Sequence, residues 1–184
     1  KEWLKENFNK NIKTFLFGQE LNPETYAVCK SEMLITDDDP ENIKYGDCLD
    51  NDKFKSQKFQ FMIANPPYGE SWKSAQKNVI NEFATTNSRF KAGLPRVSDG
   101  QLLFLQHLIS KMDEEGSRIG IVFNGSPLFT GDAGNGESEI RKWLIENDLI
   151  EAIISLPERL FFNTGIPTYF WILTNKKHKK RRYI

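Results

Sequence analysis

The chain reads as a single α/β domain on a mostly parallel sheet with helices on both faces. Three observations predict this class. Residues 59–64 form a short run, Phe59-Gln60-Phe61-Met62-Ile63-Ala64, that is continuously apolar at its end and too short for a helix. Further apolar runs alternate along the chain with segments of helical spacing, the pattern of strands joined through crossover helices. The 184 residues, 39% of them hydrophobic and 27% charged, suffice for one globular core.

Taken in order, residues 1–10 carry Trp3, Leu4 and Phe8 on one helical face. Thr14-Phe15-Leu16-Phe17-Gly18 reads as a short buried strand that delivers Gln19-Glu20-Leu21-Asn22 to its carboxyl end. Asn22 is placed to cap a helix with Pro23 in its first turn, running to about Leu34. The acidic turn Asp37-Asp38-Asp39-Pro40-Glu41 reads as solvated surface. A third strand and its exit follow at Ile43-Lys44-Tyr45-Gly46-Asp47-Cys48, then the strand that ends at Asn65. Residues 69–100 form a polar connection too long for a plain loop, with Trp72, Phe83, Phe90 and Leu94 arguing for partial structure. We expect it to be partly helical and mobile. Gln101 to Met112 has Leu105, Leu108, Ile109 and Met112 at helical spacing. Arg118 to Asn124 is a strand, residues 137–147 a helix with Ile140, Trp143 and Leu144 inward, and Ile150–Leu156 and Thr168–Leu173 two more strands.

The strand ending at Ala64 stops on Asn65-Pro66-Pro67-Tyr68-Gly69. Neither proline has a backbone N–H, so ladder pairing cannot continue, and Pro66 pushes Asn65 towards an extended conformation. The result is a stiff shelf at the carboxyl end of a strand, where open α/β sheets place ligands. The Asn65 side-chain oxygen and the Pro66 carbonyl are two acceptors held close together. Such a pair suits an amino group on a flat ring, because accepting both N–H bonds concentrates charge on a nitrogen whose lone pair is otherwise delocalised. Tyr68 offers a ring for stacking, worth about 1–3 kcal/mol for a nucleobase. Taken alone, the four residues are equally a strand-ending turn with a buried tyrosine.

Composition excludes several classes. Lysine plus arginine balance aspartate plus glutamate at 25 each, so no global basic field recruits nucleic acid. The two cysteines, Cys29 and Cys48, lack Cys-x-x-Cys spacing, and with His107 and His178 they make no metal cluster; they read as reduced thiols in a cytoplasmic protein. No apolar stretch is long enough to span a membrane, and no secretory or transit signal opens the chain. The glycine-rich loop Thr130 to Gly136 does not match Gly-x-Gly-x-x-Gly, and reads as a flexible lid or partner-facing loop.

Asn-Pro-Pro-Tyr after an apolar strand resembles the catalytic motif of amino-methyltransferases that use S-adenosylmethionine. The blocks Asn65-Pro66-Pro67-Tyr68-Gly69-Glu70-Ser71-Trp72, Ser88-Arg89-Phe90-Lys91-Ala92-Gly93-Leu94-Pro95, Ser98-Asp99-Gly100-Gln101-Leu102-Leu103-Phe104-Leu105-Gln106-His107 and Asn124-Gly125-Ser126-Pro127-Leu128-Phe129 extend it. In that order they resemble the modification subunit of type I restriction-modification systems, the N6-adenine DNA methyltransferase family, over nearly the whole chain.

The resemblance implies a Rossmann-like S-adenosylmethionine-dependent methyltransferase fold and methyl transfer to an adenine flipped out of double-stranded DNA. It implies catalytic roles for Asn65, Pro66, Pro67 and Tyr68, and cofactor contacts from Glu20, Asp47 and Asn65. Glu20 would meet the ribose; its plain alternative is a solvated loop carboxylate. Asp47 would accept from the cofactor's adenine amine, and it can equally cap the turn into Asn51-Asp52. Tyr68 and either Phe161 or Phe162 would sandwich the target base. Lys73, Lys77, Arg89, Lys91, Arg96 and the tail Lys176 to Arg182 are candidate phosphate contacts or ordinary surface cations. Implied partners are a specificity subunit, a restriction subunit and a second modification subunit, with no membrane. The chain departs from the family in lacking an Asp-Pro-x-Cys-Gly-x-Gly-like cofactor loop. It reads as a partial catalytic domain over residues 1–184, with residues 69–100 a substrate-side insertion. It lacks the first, central strand, expected between the strands ending at Gly18 and Ala64. Two alternatives stay open: a protein glutamine-amide N-methyltransferase of the same fold, and an inactive fragment that serves as an assembly module.

Overall fold

The computed structural model describes residues 6–8, 13–161 and 165–177 of the chain. Most of the helix expected over residues 1–10 lies outside them, as do Phe162, His178 and the end of the basic tail. The chain divides into two compact units, residues 1–53 and 54–184.

In the first unit, β1 (Gly18–Glu20) pairs in parallel with β2 (Ile43–Tyr45), with Gly18 opposite Ile43 and Glu20 opposite Tyr45. Helix α1 (Pro23–Ile35) joins them, followed by a 3-10 turn at Pro40–Asn42. Asn22 caps α1 as its sequence predicts: its side-chain oxygen accepts from the Glu24 and Thr25 amides at 2.9 and 3.0 Å. The expected strand at Thr14–Gly18 is displaced. Pairing begins at Gly18, and Phe15 and Leu16 are 73% and 48% exposed. β2 has only three residues, so the ladder ends before it reaches them.

The second unit holds a four-stranded sheet of β3 (Phe61–Ala64), β4 (Arg118–Asn124), β5 (Ile150–Ser155) and β6 (Thr168–Thr174), in the order β3-β4-β6-β5. The helices are α2 (Gln76–Phe83), α3 (Gln101–Ser110), α4 (Ser126–Phe129) and α5 (Gly136–Glu146). The sheet is mixed, which corrects the expectation of a mostly parallel one. β3 pairs with β4 in parallel, but β6 runs antiparallel to both β4 and β5. Among the described residues no crossover helix lies between β5 and β6, and neighbours so joined pair antiparallel.

One face of this sheet carries the core. Met62, Ile119, Ile121, Phe123, Trp171 and Leu173 alternate into it and meet Leu102 and Leu105 of α3 and Ile140 and Leu144 of α5. Phe123 meets Trp171 edge to face at 5.4 Å, a favoured aromatic geometry. The opposite face departs from the expectation of helices on both sides: Phe61 and Ile63 are 78% and 87% exposed. β3 is an edge strand of this sheet, and the central strand expected beside it is not among the described residues.

Residues 69–100 are partly helical, as expected, and well packed. Trp72, Ala75, Val79 and Phe90 are buried, and Phe90 lies beneath the Arg89 guanidinium at 4.7 Å. Arg89 donates to both Glu82 carboxylate oxygens, at 2.8 and 2.7 Å, and to His107 Nδ1 at 2.9 Å. A guanidinium only donates, so His107 Nδ1 accepts and the imidazole carries its proton on Nε2. Burial pushes the Glu82 carboxyl up, but the Arg89 hydrogen bonds and charge outweigh it and hold the group below its ordinary value of 4.5.

Two outcomes follow from these contacts. Asn22→Ala removes both bonds to the α1 amides and should cost about 1 kcal/mol in urea unfolding. Glu82 has a depressed folded-state pKa, so its stabilisation is complete above the unfolded carboxylate value and lost as pH falls through the folded one. The stability gap between wild type and Glu82→Gln should therefore be constant from about pH 6 to 8 and close below about pH 4.5. Urea titrations across that range measure it.

Candidate functional site

The shelf sits where the sequence puts it. β3 ends at Ala64, and Asn65-Pro66-Pro67 leaves the sheet without further pairing. Asn65 and Pro67 are exposed while Pro66 is buried, which anchors the turn and leaves the amide outside. Gly69 closes the turn at φ 65°, a left-handed conformation that a side chain would strain. Tyr68 adds a contact that the sequence does not reveal: its hydroxyl donates to Asn65 Oδ1 at 2.7 Å. Burial pushes the Tyr68 phenol up, so the hydroxyl keeps its proton at neutral pH. The ring is half-buried, and the amide oxygen retains a second lone pair.

Behind the shelf lies a polar network. The Gly100 amide donates to the Glu70 carbonyl at 3.0 Å, and Trp72 donates to Val97 and Arg96 carbonyls through its amide and indole N–H, at 3.1 and 2.9 Å. Gln101, 1% exposed, donates through Nε2 to Asp99 Oδ1 and to Asn124 Oδ1, both at 3.0 Å, and accepts from the Asn124 amide at 3.2 Å. Ser126 donates to Asp99 at 2.6 Å, and Arg96 donates to Ser126 and Thr130 hydroxyls at 2.8 and 3.2 Å. Asn124 is the last residue of β4, the parallel neighbour of β3, so both asparagines leave the same sheet edge. The sequence shows Asp99, Gln101 and Asn124 only as parts of blocks; nothing in their spacing links them.

Two of the candidate cations have partners within the fold. Arg89 is paired with Glu82, its side chain only 12% exposed, and Arg96 belongs to the network. Lys91 lies over the Trp143 ring at 5.8 Å. The glycine-rich loop is tied down at its start. Arg141 donates to the Pro127, Thr130 and Gly131 carbonyls, and a side chain at Gly136 would collide with the Leu94 carbonyl. Phe161, half-buried, is the one described member of the aromatic pair, because Phe162 lies outside the described residues.

In the first unit, Glu20 and Asp47 both lie at the carboxyl ends of the paired strands β1 and β2. Glu20 Oε1 accepts from the Asn22 amide at 2.7 Å, and Asp47 Oδ1 accepts from the Leu49 amide at 2.8 Å. Each carboxylate thus has one oxygen orienting it. Asp47 is the turn cap that its sequence allows, and its Oδ2 is not spent on that turn. Among the described residues no cluster of histidine, cysteine and carboxylate side chains could hold a metal ion. No helix among them is long and apolar enough to cross a membrane.

The family model for N-6 DNA Methylase matches residues 1–184. The chain is 32% identical over 166 residues to the type I restriction enzyme HindI methylase subunit of Haemophilus influenzae, covering 90% of this chain and 35% of that protein. The crystal structure of a type I restriction-modification methyltransferase subunit from Streptococcus thermophilus superposes with a TM-score of 0.76 at 31% identity, over 91% of this chain and 34% of that one. The EcoKI M protein shares the fold, with a TM-score of 0.67 at 24% identity, over 91% of this chain and 32% of that one. The chain spans about a third of the length of the relatives it matches. With its whole length matched and its Asn-Pro-Pro-Tyr shelf at the end of β3, the chain belongs to the N-6 DNA methylase family.

Proposed function

We propose that this chain is the catalytic part of a type I modification subunit, which methylates the N6 amine of an adenine flipped out of double-stranded DNA. The observation that carries the reading is the exposed Asn65 amide on a stiff Pro-Pro turn at the carboxyl end of β3, in a chain of this family. Asn65 Oδ1 and the Pro66 carbonyl accept the two N–H bonds of the amine, and this turns its lone pair outward. Pro67 keeps the backbone of the shelf rigid. Tyr68 stacks on the base, and Phe161 or Phe162 closes the opposite face.

S-adenosylmethionine, when bound, supplies an electrophilic methyl group, so no covalent enzyme intermediate is required. The residues present fit its adenosine end. Glu20 has an oxygen for ribose hydroxyls and Asp47 one for an adenine amine, while their other oxygens hold them in place. Polypeptide beyond this sequence would supply the glycine-rich loop and a further strand; the edge position of β3 and its exposed Phe61 and Ile63 support that. The sequence preference would come from a specificity subunit, with a restriction subunit and a second modification subunit completing the assembly.

A glutamine-amide substrate presents the same N–H₂ group, so an assay offering DNA and protein side by side distinguishes the two. In the intact polypeptide carrying this sequence, Asn65→Ala should cut DNA methylation by about 10²–10³-fold or more. Cofactor affinity by calorimetry should stay largely unchanged; wild-type methylation in this variant would refute the assignment. Tyr68→Phe keeps the ring and should hold activity within about tenfold, whereas Tyr68→Ala should lose about 1–3 kcal/mol of base binding. The KM for DNA of the two variants reads that difference.

A further inference from the structure

We infer that Gln101 is a positioning residue for methyl transfer, holding the Asn65 shelf in register from behind. This rests on the function proposed above. Residue 101 touches neither base nor cofactor in that reading, and it acts through two neighbours. Its carboxamide has every hydrogen-bonding group engaged. One side of Nε2 meets Asp99, at 3.0 and 3.1 Å from the two carboxylate oxygens, and the other meets Asn124 Oδ1 at 3.0 Å. Oε1 accepts from the Asn124 amide at 3.2 Å.

These bonds close a ring through the fold. β3 runs into Asn65, and the chain continues to Glu70 and Trp72, which are bonded to Gly100, Val97 and Arg96. Asp99 in that turn is bonded to Gln101, and Gln101 to Asn124 at the end of β4. β4 returns to β3 through the parallel ladder that pairs Ala64 with Ile121. The shelf is therefore clamped on both sides, by the ladder before it and the ring after it. Gln101 spans the gap between the 96–100 turn and β4, beside the Ser126 hydroxyl that donates to Asp99 just past the end of the strand. It is 1% exposed, so water cannot substitute for the lost partners if it is removed.

The test uses single-turnover methylation of DNA by the intact polypeptide, with cofactor affinity and thermal midpoint measured on the same samples. Gln101→Leu keeps the apolar stem and drops the bonds to Asp99 and Asn124. It should lower the single-turnover rate constant at saturating DNA about tenfold or more, with the DNA concentration for half-maximal rate unchanged and cofactor affinity within about twofold of wild type. A folded variant that transfers methyl within about twofold of the wild-type rate overturns the inference.

Gln101→Glu decides the matter if the leucine variant does not fold. A protonated carboxyl donates to Asp99 and still accepts from the Asn124 amide, whereas an ionised one repels Asp99. The charged groups around it are Asp99, Arg96 at 3.7 Å from Asp99, and Glu137 at 3.9 Å from Arg96. Relative to wild type, its rate should be highest at acid pH and fall as pH rises; a flat ratio overturns the inference. Wild-type protein that methylates no DNA overturns the proposed function itself, and the inference with it.

Discussion

The parallel ladder between β3 and β4 is the constraint on which the rest of the second unit depends. It pairs four residues, Phe61 with Arg118 through Ala64 with Ile121, and so fixes where Asn65 leaves the sheet. Alternation along the same strands sends Met62, Ile119, Ile121 and Phe123 into the core beneath α3 and α5. A slip of one residue would turn that set outward and bring residues of the other face, such as Phe61, Ile63 and Arg118, inward. The register that builds the core is thus the register that places the candidate catalytic amide. Pro66 and Pro67 then convert an ordinary strand end into a fixed one, because neither can extend the ladder.

Behind that edge the protein buries Asp99, Gln101 and Glu137 at 8%, 1% and 8% exposure, a costly set unless its members are paired. They are paired: Gln101 and Ser126 donate to Asp99, the Arg96 amide donates to Glu137, and the Arg96 guanidinium bridges Ser126 and Thr130. Buried polar networks of this kind favour one geometry, because a displaced member leaves a dry donor or acceptor. An apolar filling would tolerate several packings. The network therefore explains why a connection as long as residues 69–100 is ordered around Trp72 and Phe90.

Much of this was legible in the sequence, and its limits have physical causes. Strand β4 matches its expected bounds because Ile119, Ile121 and Phe123 alternate between two turn signals. The cap at Asn22 is a local signal and is found where expected. The direction of β6 was not legible, since an apolar run such as Thr168–Leu173 carries no mark of which neighbour it pairs with. Nor was the misplacement of β1, because Phe15-Leu16-Phe17 is as apolar as a buried strand and its exposure depends on how far β2 reaches. Asn65 and Tyr68 are three residues apart, so their nearness is legible locally, though not the hydrogen bond between them. Gln101 and Asn124 are 23 apart, and only the fold brings them together. Arg89 and Arg96 stand in the sequence as two charges among many, and only the fold shows their partners, Glu82 and Ser126.

The Tyr68–Asn65 hydrogen bond sharpens what the shelf has to do. An exposed amide oxygen with no protein partner would be free to rotate, and ordering it would cost side-chain entropy when the substrate arrives. Tyr68 removes that freedom in advance by donating to Oδ1 at 2.7 Å, and its phenol remains a donor because burial disfavours the phenolate. The same oxygen has a second lone pair for an incoming N–H. Should the geometry of a stacked base pull the hydroxyl away, one hydrogen bond is exchanged for another, a trade that is close to neutral. Either way the acceptor would be oriented before the proposed amine arrives, and preorganised dipoles of that kind do more for a developing charge than dipoles that must reorient. In the proposed function the tyrosine would therefore serve the site with its edge as well as its face. A ring alone would suffice for the proposed stacking; the hydroxyl explains why Asn65 points in a defined direction on an otherwise open edge.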